Sequence, residues 1–284
     1  MQMPPPPSRK RRLPPRLKED AGPLRVLGNQ ELVTCICDYQ CGIYDDMRPF
    51  AAFMPWNARA IGCAIAFALK LESASFQLLE TLHSVWAPWY RRHGTSRLSH
   101  LWTSFSAMHH LVCVLACYSG NLDLMRVLHT CTHRVMLQVW MDMLQLLSLV
   151  AWRGHLPMLQ YLHGKQYYGW TRTVLDVAAA NGHLPVVEFL HSNRSEGCTT
   201  EAMDRAAARG HLHVVSFLHL HRHEGCTHKA LEGAVAAGHV DVVAFLVEQR
   251  SECRSKARLQ LLAMKHPTMA YYLQELIGSS KVAP

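Results

Sequence analysis

The sequence predicts an all-α fold in which short helix–turn–helix units stack into an α-solenoid. The main observation is an internal repeat, because Gly154, Gly182, Gly210 and Gly238 follow one another at intervals of 28 residues. The residues around them, 171–250, align as three units without a gap. A fixed period in this range is typical of solenoids, in which each unit buries its apolar face only against its neighbours.

Each unit predicts two helices joined by a tight turn. In the first unit Thr171 precedes the first helix, and its side chain is expected to accept a hydrogen bond from a free first-turn amide. Gly182 then ends that helix, since glycine tolerates the left-handed conformation of a C-terminal stop. Pro185 suits the first turn of the second helix, and residues 184–190 supply its apolar stripe. The equivalent threonines and first-turn residues of the other two units are Thr199, Thr227, His213 and Asp241.

Length and composition agree with one solenoid domain. The chain has 284 residues, and its hydrophobic content of 49% is enough for a sizeable core. Ten cysteines without paired spacing, together with no recognisable signal peptide, predict reduced thiols in the cytoplasm. The longest apolar run, residues 143–151, is shorter than the roughly 20 residues of a membrane span, so no membrane insertion is predicted.

Residues 1–23 predict a disordered tail rich in proline and arginine. Its run Arg9–Arg12 is typical of a nuclear import signal, which would add the nucleus to the predicted cytoplasmic location. Seven positive and two negative residues in the first 25 account for +5 of the net charge of +8. The rest of the chain is close to neutral, which argues against nucleic-acid binding.

Residues 24–63 do not follow the repeat. Their helical spacing favours a helical cap that covers the exposed end of the first unit, as solenoid ends require. An alternative comes from the stretch "PLRVLGNQELVTCICDYQ", which resembles the opening of an F-box, the segment that docks ubiquitin-ligase scaffolds. That resemblance implies a ubiquitin-ligase substrate adaptor.

Weaker copies of the repeat extend over residues 64–277 and predict about seven helix pairs. Their turn positions are 74, 120, 154, 182, 210, 238 and 265, with Ala74 and Lys265 in place of glycine. The aromatic and basic stretch 86–105 is interpreted as an inserted loop with one short helix. Residues 278–284 are interpreted as a C-terminal tail.

The repeat resembles the ankyrin repeat, most strongly over residues 151–248. Gly-His-Leu followed by Val-Val and Phe-Leu, at 182–190 and again at 210–218, matches the second helix of that family. Two features depart from the family: residues 201–204 replace its Thr-Pro-Leu-His opening, and the period of 28 is shorter than its usual roughly 33. Short loops, such as 192–198, with little or no β-strand are therefore expected. The resemblance implies a non-enzymatic scaffold that binds another protein.

Nineteen histidines and ten cysteines raise the question of a metal site. Nine histidines recur in two repeat columns, after the turn glycine and after the second-helix leucine: His155, His183, His211 and His239, and His83, His129, His163, His191 and His219. Residues of one column are separated by a helix-packing distance of roughly 8–10 Å, whereas zinc ligands lie about 2 Å from the ion. The columns therefore predict structural histidines and no metal. Two local groups keep the metal alternative open: His221, His223, Cys226 and His228, and Cys35, Cys37 and Cys41.

No catalytic motif is present. The sequence lacks a phosphate-binding loop, a nucleophile elbow and a His-Glu-x-x-His pattern. Asp176, Asp204 and Glu232 recur at one repeat position, which indicates a structural role such as a bond to a neighbouring loop. We expect no enzymatic activity, no cofactor and no small-molecule substrate.

The predicted binding face consists of residues that vary between units. In the ankyrin family, the two residues before the turn glycine face the concave groove. On that basis the candidate partner-binding residues, called here the ladder, are Tyr118, Trp152, Arg153, Asn181 and Arg209. Trp, Tyr and Arg are the residues that most often anchor interfaces. In the alternative, Trp152 fills a gap between helices and the arginines are only solvated. A basic edge near the starts of first helices is predicted from Arg172, His228 and Lys229.

Overall fold

The computed structural model describes residues 45–53, 74–104, 108–131, 146–250, 253 and 255–278. The chain divides into two compact units, residues 1–48 and 49–284, and nearly all described residues belong to the second. The tail 1–23 with its basic run, most of the segment 24–63 with the group Cys35, Cys37 and Cys41, and residues 279–284 lie outside the described residues. The nuclear signal, the cap and the ligase-docking element therefore stay predictions, as do the domain boundaries.

Fourteen α-helices lie within the described ranges. After a 3-10 helix at Asp45–Phe53 they are α1 Ala74–His93, α2 Leu98–Ser104, α3 Met108–Ser119, α4 Leu122–Cys131, α5 Leu146–Arg153, α6 Leu156–Gly164, α7 Arg172–Ala180, α8 Leu184–Asn193, α9 Thr200–Ala208, α10 Leu212–His221, α11 His228–Ala237, α12 Val240–Gln249, α13 Lys256–Lys265 and α14 Pro267–Gly278. These ranges contain no strand, so the predicted all-α fold with strand-free loops is confirmed there.

From α3 onward the helices form six successive pairs, each joined by a short turn. The first helices α3, α5, α7, α9 and α11 pack side by side in one row. The second helices α6, α8, α10 and α12 form another row. Helix α1 begins at the first predicted turn position, residue 74, and residues 54–73 before it are outside the described ranges.

Small residues allow the first helices to pack closely. Ala178 and Ala179 of α7, and Ala206 and Ala207 of α9, have no exposed surface. Helix α11 carries Gly233 where a side chain would collide, since an added Cβ would lie 2.5 Å from the Cβ of Ala208. Because the first helices pack closely, the face that they share is buried. Each second helix buries only one stripe of residues along its length.

The predicted glycine turns are confirmed. The turn glycines adopt the left-handed conformation, with φ between +67° and +78°, at Gly120, Gly154, Gly182, Gly210 and Gly238. The last pair lacks a glycine, and α13 ends there at Lys265 without a left-handed residue, because His266 has φ of −122°.

The threonine caps are confirmed in two units and wrong in one. The hydroxyl oxygens of Thr199 and Thr227 each accept a hydrogen bond from the amide two residues later, at 3.2 Å. Thr171 makes no such bond. Its hydroxyl pairs instead with the hydroxyl of Thr173, 2.6 Å away, which occupies the position held by Glu201 in the next unit. A neighbouring hydroxyl competes with the backbone amide for the same oxygen.

Buried aspartates join consecutive units, as the repeat position of these residues predicted. Asp176 accepts hydrogen bonds from the amide of Thr199 at 2.8 Å and from its hydroxyl at 2.9 Å. Asp204 accepts the same two bonds from Thr227, at 2.7 and 2.6 Å. Both aspartates are at most 5% exposed. Each carboxylate therefore fixes the start of the next first helix.

The prediction of an inserted loop at 86–105 is wrong. Helix α1 continues through Trp86 to His93, and α2 follows after a four-residue turn. The cause is an apolar face with helical spacing, because Leu82, Trp86 and Trp89 are all buried at i, i+4 and i+7. Phe50 packs against it, with its ring centroid 6.3 Å from Trp86 and 5.6 Å from Trp89.

Candidate partner-binding face

The position of the ladder is set by a repeated contact between histidine and glycine. The ring of His183 lies over Gly154, so that an added Cβ on that glycine would be 2.6 Å from Nδ1. The same ring donates a hydrogen bond from Nε2 to the main-chain oxygen of Trp152 at 2.9 Å. His155 repeats the arrangement over Gly120. These contacts hold each ladder backbone against the following unit.

An aromatic and cationic cluster forms the first half of the ladder. The guanidinium carbon of Arg153 lies 4.6 Å from the ring centroid of Tyr118 and 5.6 Å from that of Trp152. The ring of His83 lies 5.5 Å from Tyr118 on the preceding unit. Tyr118 is only 4% exposed, Trp152 is half-buried and Arg153 is exposed. The structure therefore brings the ladder residues Tyr118, Trp152 and Arg153 together. Tyr118 is the buried member of this cluster, and Arg153 lies at the surface.

The positive charge of this cluster is carried by the guanidinium of Arg153. Burial raises the pKa of Tyr118, an effect opposed by the positive charge of Arg153, so the phenol stays neutral at physiological pH. Burial, and secondarily the charge of Arg153, lowers the pKa of His83. A cation held over aromatic faces and open to solvent is suited to receiving a carboxylate.

Asn181 and Arg209 form the second half of the ladder, and they bind each other. Arg209 Nη1 donates to the Oδ1 atom of Asn181 at 3.0 Å and to the main-chain oxygen of Ala180 at 2.8 Å. The Nδ2 group of Asn181 donates to the oxygen of Val177 at 2.8 Å. Both side chains are half-buried. Part of their bonding capacity thus joins two units, which the sequence did not indicate.

The predicted basic edge is partly neutralised. Lys229 forms an ion pair with Glu201 at 3.6 Å between two largely exposed side chains. Arg172 donates from Nε to the main-chain oxygen of Glu196 at 3.1 Å. His228 is exposed at the start of α11. Because Glu201 and Lys229 lie on consecutive first helices, this edge presents paired charges.

The two histidine columns have structural neighbours, as predicted. The column after the turn glycine packs on the glycine of the preceding unit, as described above. In the other column, His163, His191 and His219 meet a phenylalanine ring of the next unit edge-on, with centroids 5.5 to 5.6 Å apart. His221 stacks on Phe217 and bonds its main-chain oxygen at 3.0 Å. Among the described residues, no three His, Cys, Asp or Glu side chains converge as a metal site would require.

A surface that the sequence analysis missed lies on the loop between α6 and α7. Tyr168 is 72% exposed, and the half-buried Trp170 lies beneath Arg194, whose guanidinium carbon is 4.9 Å from the ring centroid. Tyr167 is buried, and its hydroxyl lies 2.7 Å from Nδ1 of His129. An open cleft of about 650 Å³ is lined by Tyr167, Tyr168, Trp170, Arg194 and Glu196, among others. The available signal was the repeat alignment, in which this loop differs from its two successors.

The left-handed glycine turns, the rows of paired helices and the bonds between consecutive units define a helical-repeat protein. A comparison with known families agrees, since the model described as "Ankyrin repeats (many copies)" matches residues 175–219. This match supports an ankyrin-repeat protein, and residues 175–219 are the part of the chain that it covers. Comparison with curated proteins found no significant match.

Ankyrin repeats generally mediate protein–protein interaction, and the family is generally non-enzymatic. Within the described residues no helix is both long enough and apolar enough to cross a membrane.

Proposed function

We propose that the protein is a non-enzymatic scaffold that binds a partner protein along the ladder of Tyr118, Trp152, Arg153, Asn181 and Arg209. The observation that carries the proposal is the exposed guanidinium of Arg153 between the rings of Tyr118 and Trp152. Interface hot spots are enriched in Trp, Tyr and Arg. The histidine bonds at the turns favour a preorganised face, which reduces the entropy lost when a partner binds.

The cluster favours a partner segment that presents an acidic side chain next to an apolar one. Arg153 would receive the carboxylate, and the half-buried ring of Trp152 would supply apolar contact. Asn181 and Arg209 continue the row on the next two units. Because Arg209 is already bonded to Ala180 and Asn181, its contribution to affinity would be smaller than that of Arg153.

The buried aspartates support the absence of catalysis. Burial raises the pKa of Asp176, although two hydrogen bonds from Thr199 lower it in part. A general acid or base must reach a substrate proton, whereas the oxygens of Asp176 and Asp204 accept bonds from the next unit. These carboxylates are therefore assigned to the fold.

Site-specific photo-crosslinking tests the proposal. A photoreactive amino acid replaces exposed Arg153, and a matched variant carries it at exposed Glu188 on the second helix α8. Full-length protein is then irradiated in cells, and crosslinked species are identified by mass spectrometry. The proposal predicts a discrete partner that crosslinks from position 153 and not from position 188. Equal crosslinking from both positions, or none from position 153, would contradict it.

A further inference from the structure

The loop between α6 and α7 departs from the repeat in its side chains and keeps its glycine. Residues 166–170 read Gln-Tyr-Tyr-Gly-Trp, where 194–198 read Arg-Ser-Glu-Gly-Cys and 222–226 read Arg-His-Glu-Gly-Cys. The glycine of each loop is left-handed, with φ of +96° at Gly169, +78° at Gly197 and +76° at Gly225. The left-handed glycine is thus shared. The backbone differs at residue 166, since φ is +56° at Gln166 but −131° and −130° at the equivalent Arg194 and Arg222.

The two regular loops are closed by an arginine and a glutamate. Arg222 forms an ion pair with Glu224, whose Oε1 atom also accepts the amide of Cys198 at 3.1 Å. Although burial raises the pKa of Glu224, the bonds from Arg222 and Cys198 bring it to about 2, so the carboxylate stays charged. Arg194 and Glu196 form the same pair. Each pair also lies against the preceding loop, since Glu224 bonds Cys198 and Arg194 lies over Trp170.

In the loop between α6 and α7, called here the aromatic loop, Gln166 and Tyr168 take the places of the arginine and the glutamate. Tyr168 is 72% exposed, so its ring is open to a ligand. Trp170 takes the place of Cys198, which is only 3% exposed, and lies half-buried under Arg194. The result is the open cleft of about 650 Å³ between this loop and the next.

The lining of the cleft is electrically balanced. Its two ionised groups, Arg194 and Glu196, bond to each other, with Arg194 Nε at 3.1 Å from Oε2. The hydrogen bond from Arg194 lowers the pKa of Glu196, which keeps the pair charged. A balanced lining favours neither an acidic nor a basic ligand, and its aromatic faces favour an apolar one.

We propose that this cleft, lined by Tyr168, Trp170 and Gln166, binds an uncharged proline-rich segment of another protein in the polyproline II conformation. Proline rings pack flat on tyrosine and tryptophan, and such segments lose little entropy because their backbone is already extended. Their carbonyl groups lack internal hydrogen bonds, so they are available to the Gln166 amide and the Tyr168 hydroxyl. No ladder residue lines the cleft, so the two proposals stand or fall separately.

Binding of fluorescein-labelled decaproline to the full-length chain tests the inference by anisotropy. We expect saturable binding, and we expect Tyr168→Ala to weaken it by about fivefold or more because an exposed ring contact is lost. Tyr271→Ala is the matched control, since Tyr271 is 82% exposed on α14, and its affinity should equal that of the wild type. A labelled peptide of alternating glycine and serine should not bind.

A second measurement does not depend on removing a ring. The chain is labelled with fluorotryptophan, and the resonance of Trp170 is assigned from its absence in Trp170→Phe. Decaproline should shift this resonance, and the glycine–serine peptide should not. The inference is overturned if decaproline does not bind, if Tyr168→Ala and Tyr271→Ala weaken it equally, or if a glutamate-rich peptide of the same length binds this cleft more tightly.

Discussion

The contact between the turn glycine and the following histidine makes a quantitative prediction at Gly154. An alanine there has two costs. Its backbone must hold φ at +73°, which costs an L-residue roughly 1–2 kcal/mol. Its Cβ would also lie 2.6 Å from Nδ1 of His183, and that ring is fixed by its 2.9 Å bond to the oxygen of Trp152. Displacing the ring loses a bond worth about 1 kcal/mol and adds overpacking of about 1 kcal/mol or more.

Gly238→Ala is the matched control for this prediction. Gly238 has φ of +78°, but an added Cβ would meet no atom within 4 Å. It therefore has only the backbone cost of roughly 1–2 kcal/mol. We expect Gly154→Ala to lower the free energy of unfolding by about 2 kcal/mol more than Gly238→Ala does.

Urea denaturation followed by circular dichroism measures both variants, with His183→Ala and the double variant completing a cycle. Removing the ring removes the collision, so Gly154→Ala should cost only its backbone share in the His183→Ala background. A coupling of about 1–2 kcal/mol is expected between positions 154 and 183. Equal losses for Gly154→Ala and Gly238→Ala, with additive effects in the cycle, would refute the proposed contact.

Three further predictions concern pH, the buried carboxylates and metal. Burial is the largest cause that lowers the pKa of His155 and of His211 below 6.5 in the folded chain. As the pH falls, the unfolded chain therefore binds protons at these histidines before the folded chain does, and the urea midpoint should fall as the pH drops below about 6.5. A midpoint that rises on acidification would contradict this. Asp204→Ala should cost about 1–3 kcal/mol in urea, since the amide and hydroxyl of Thr227 lose their acceptor, whereas the exposed Asp241→Ala should cost little. The purified protein should contain no stoichiometric zinc, and a chelator should leave its melting temperature unchanged; one bound zinc per chain would reverse the interpretation of the histidine columns.

The parts that the sequence predicted correctly are those where the repeat places the same side chain in the same environment several times. Gly182, Gly210 and Gly238 required a left-handed turn, and all three have one. Asp176 and Asp204 recur at one position, and both bond the threonine of the next unit. These predictions were well supported because the same residue pattern occurs in several units of the repeat.

One of the errors arose where the repeat is degraded. Residues 86–105 were assigned to a loop because they lengthen the spacing between turns, yet their apolar residues keep helical spacing and bury Trp86 and Trp89. Local periodicity decides secondary structure, and the interval between repeats does not.

Contacts between units that do not recur along the repeat could not be predicted from one sequence. That Arg209 reaches back to Asn181 and the oxygen of Ala180 depends on the separation of consecutive first helices. The exposure of Tyr168 likewise depends on what the neighbouring loop leaves uncovered. The alignment shows Tyr168 and Trp170 at the positions of Glu196 and Cys198. Only the structure shows that this replacement opens a cleft.

The central claim, that the ladder binds the partner protein, is tested most directly by the affinity of Trp152→Ala for the partner identified by crosslinking. Its histidine bond uses the main-chain oxygen and is kept in the variant. The account predicts a loss above about 2 kcal/mol for Trp152→Ala, insensitive to salt, and a loss of about 1 kcal/mol or less for Arg153→Ala that added salt reduces. Urea denaturation of each variant confirms that it is folded. Unchanged affinity of folded Trp152→Ala, with only a lower melting temperature, would mean that Trp152 packs between helices and would contradict the claim.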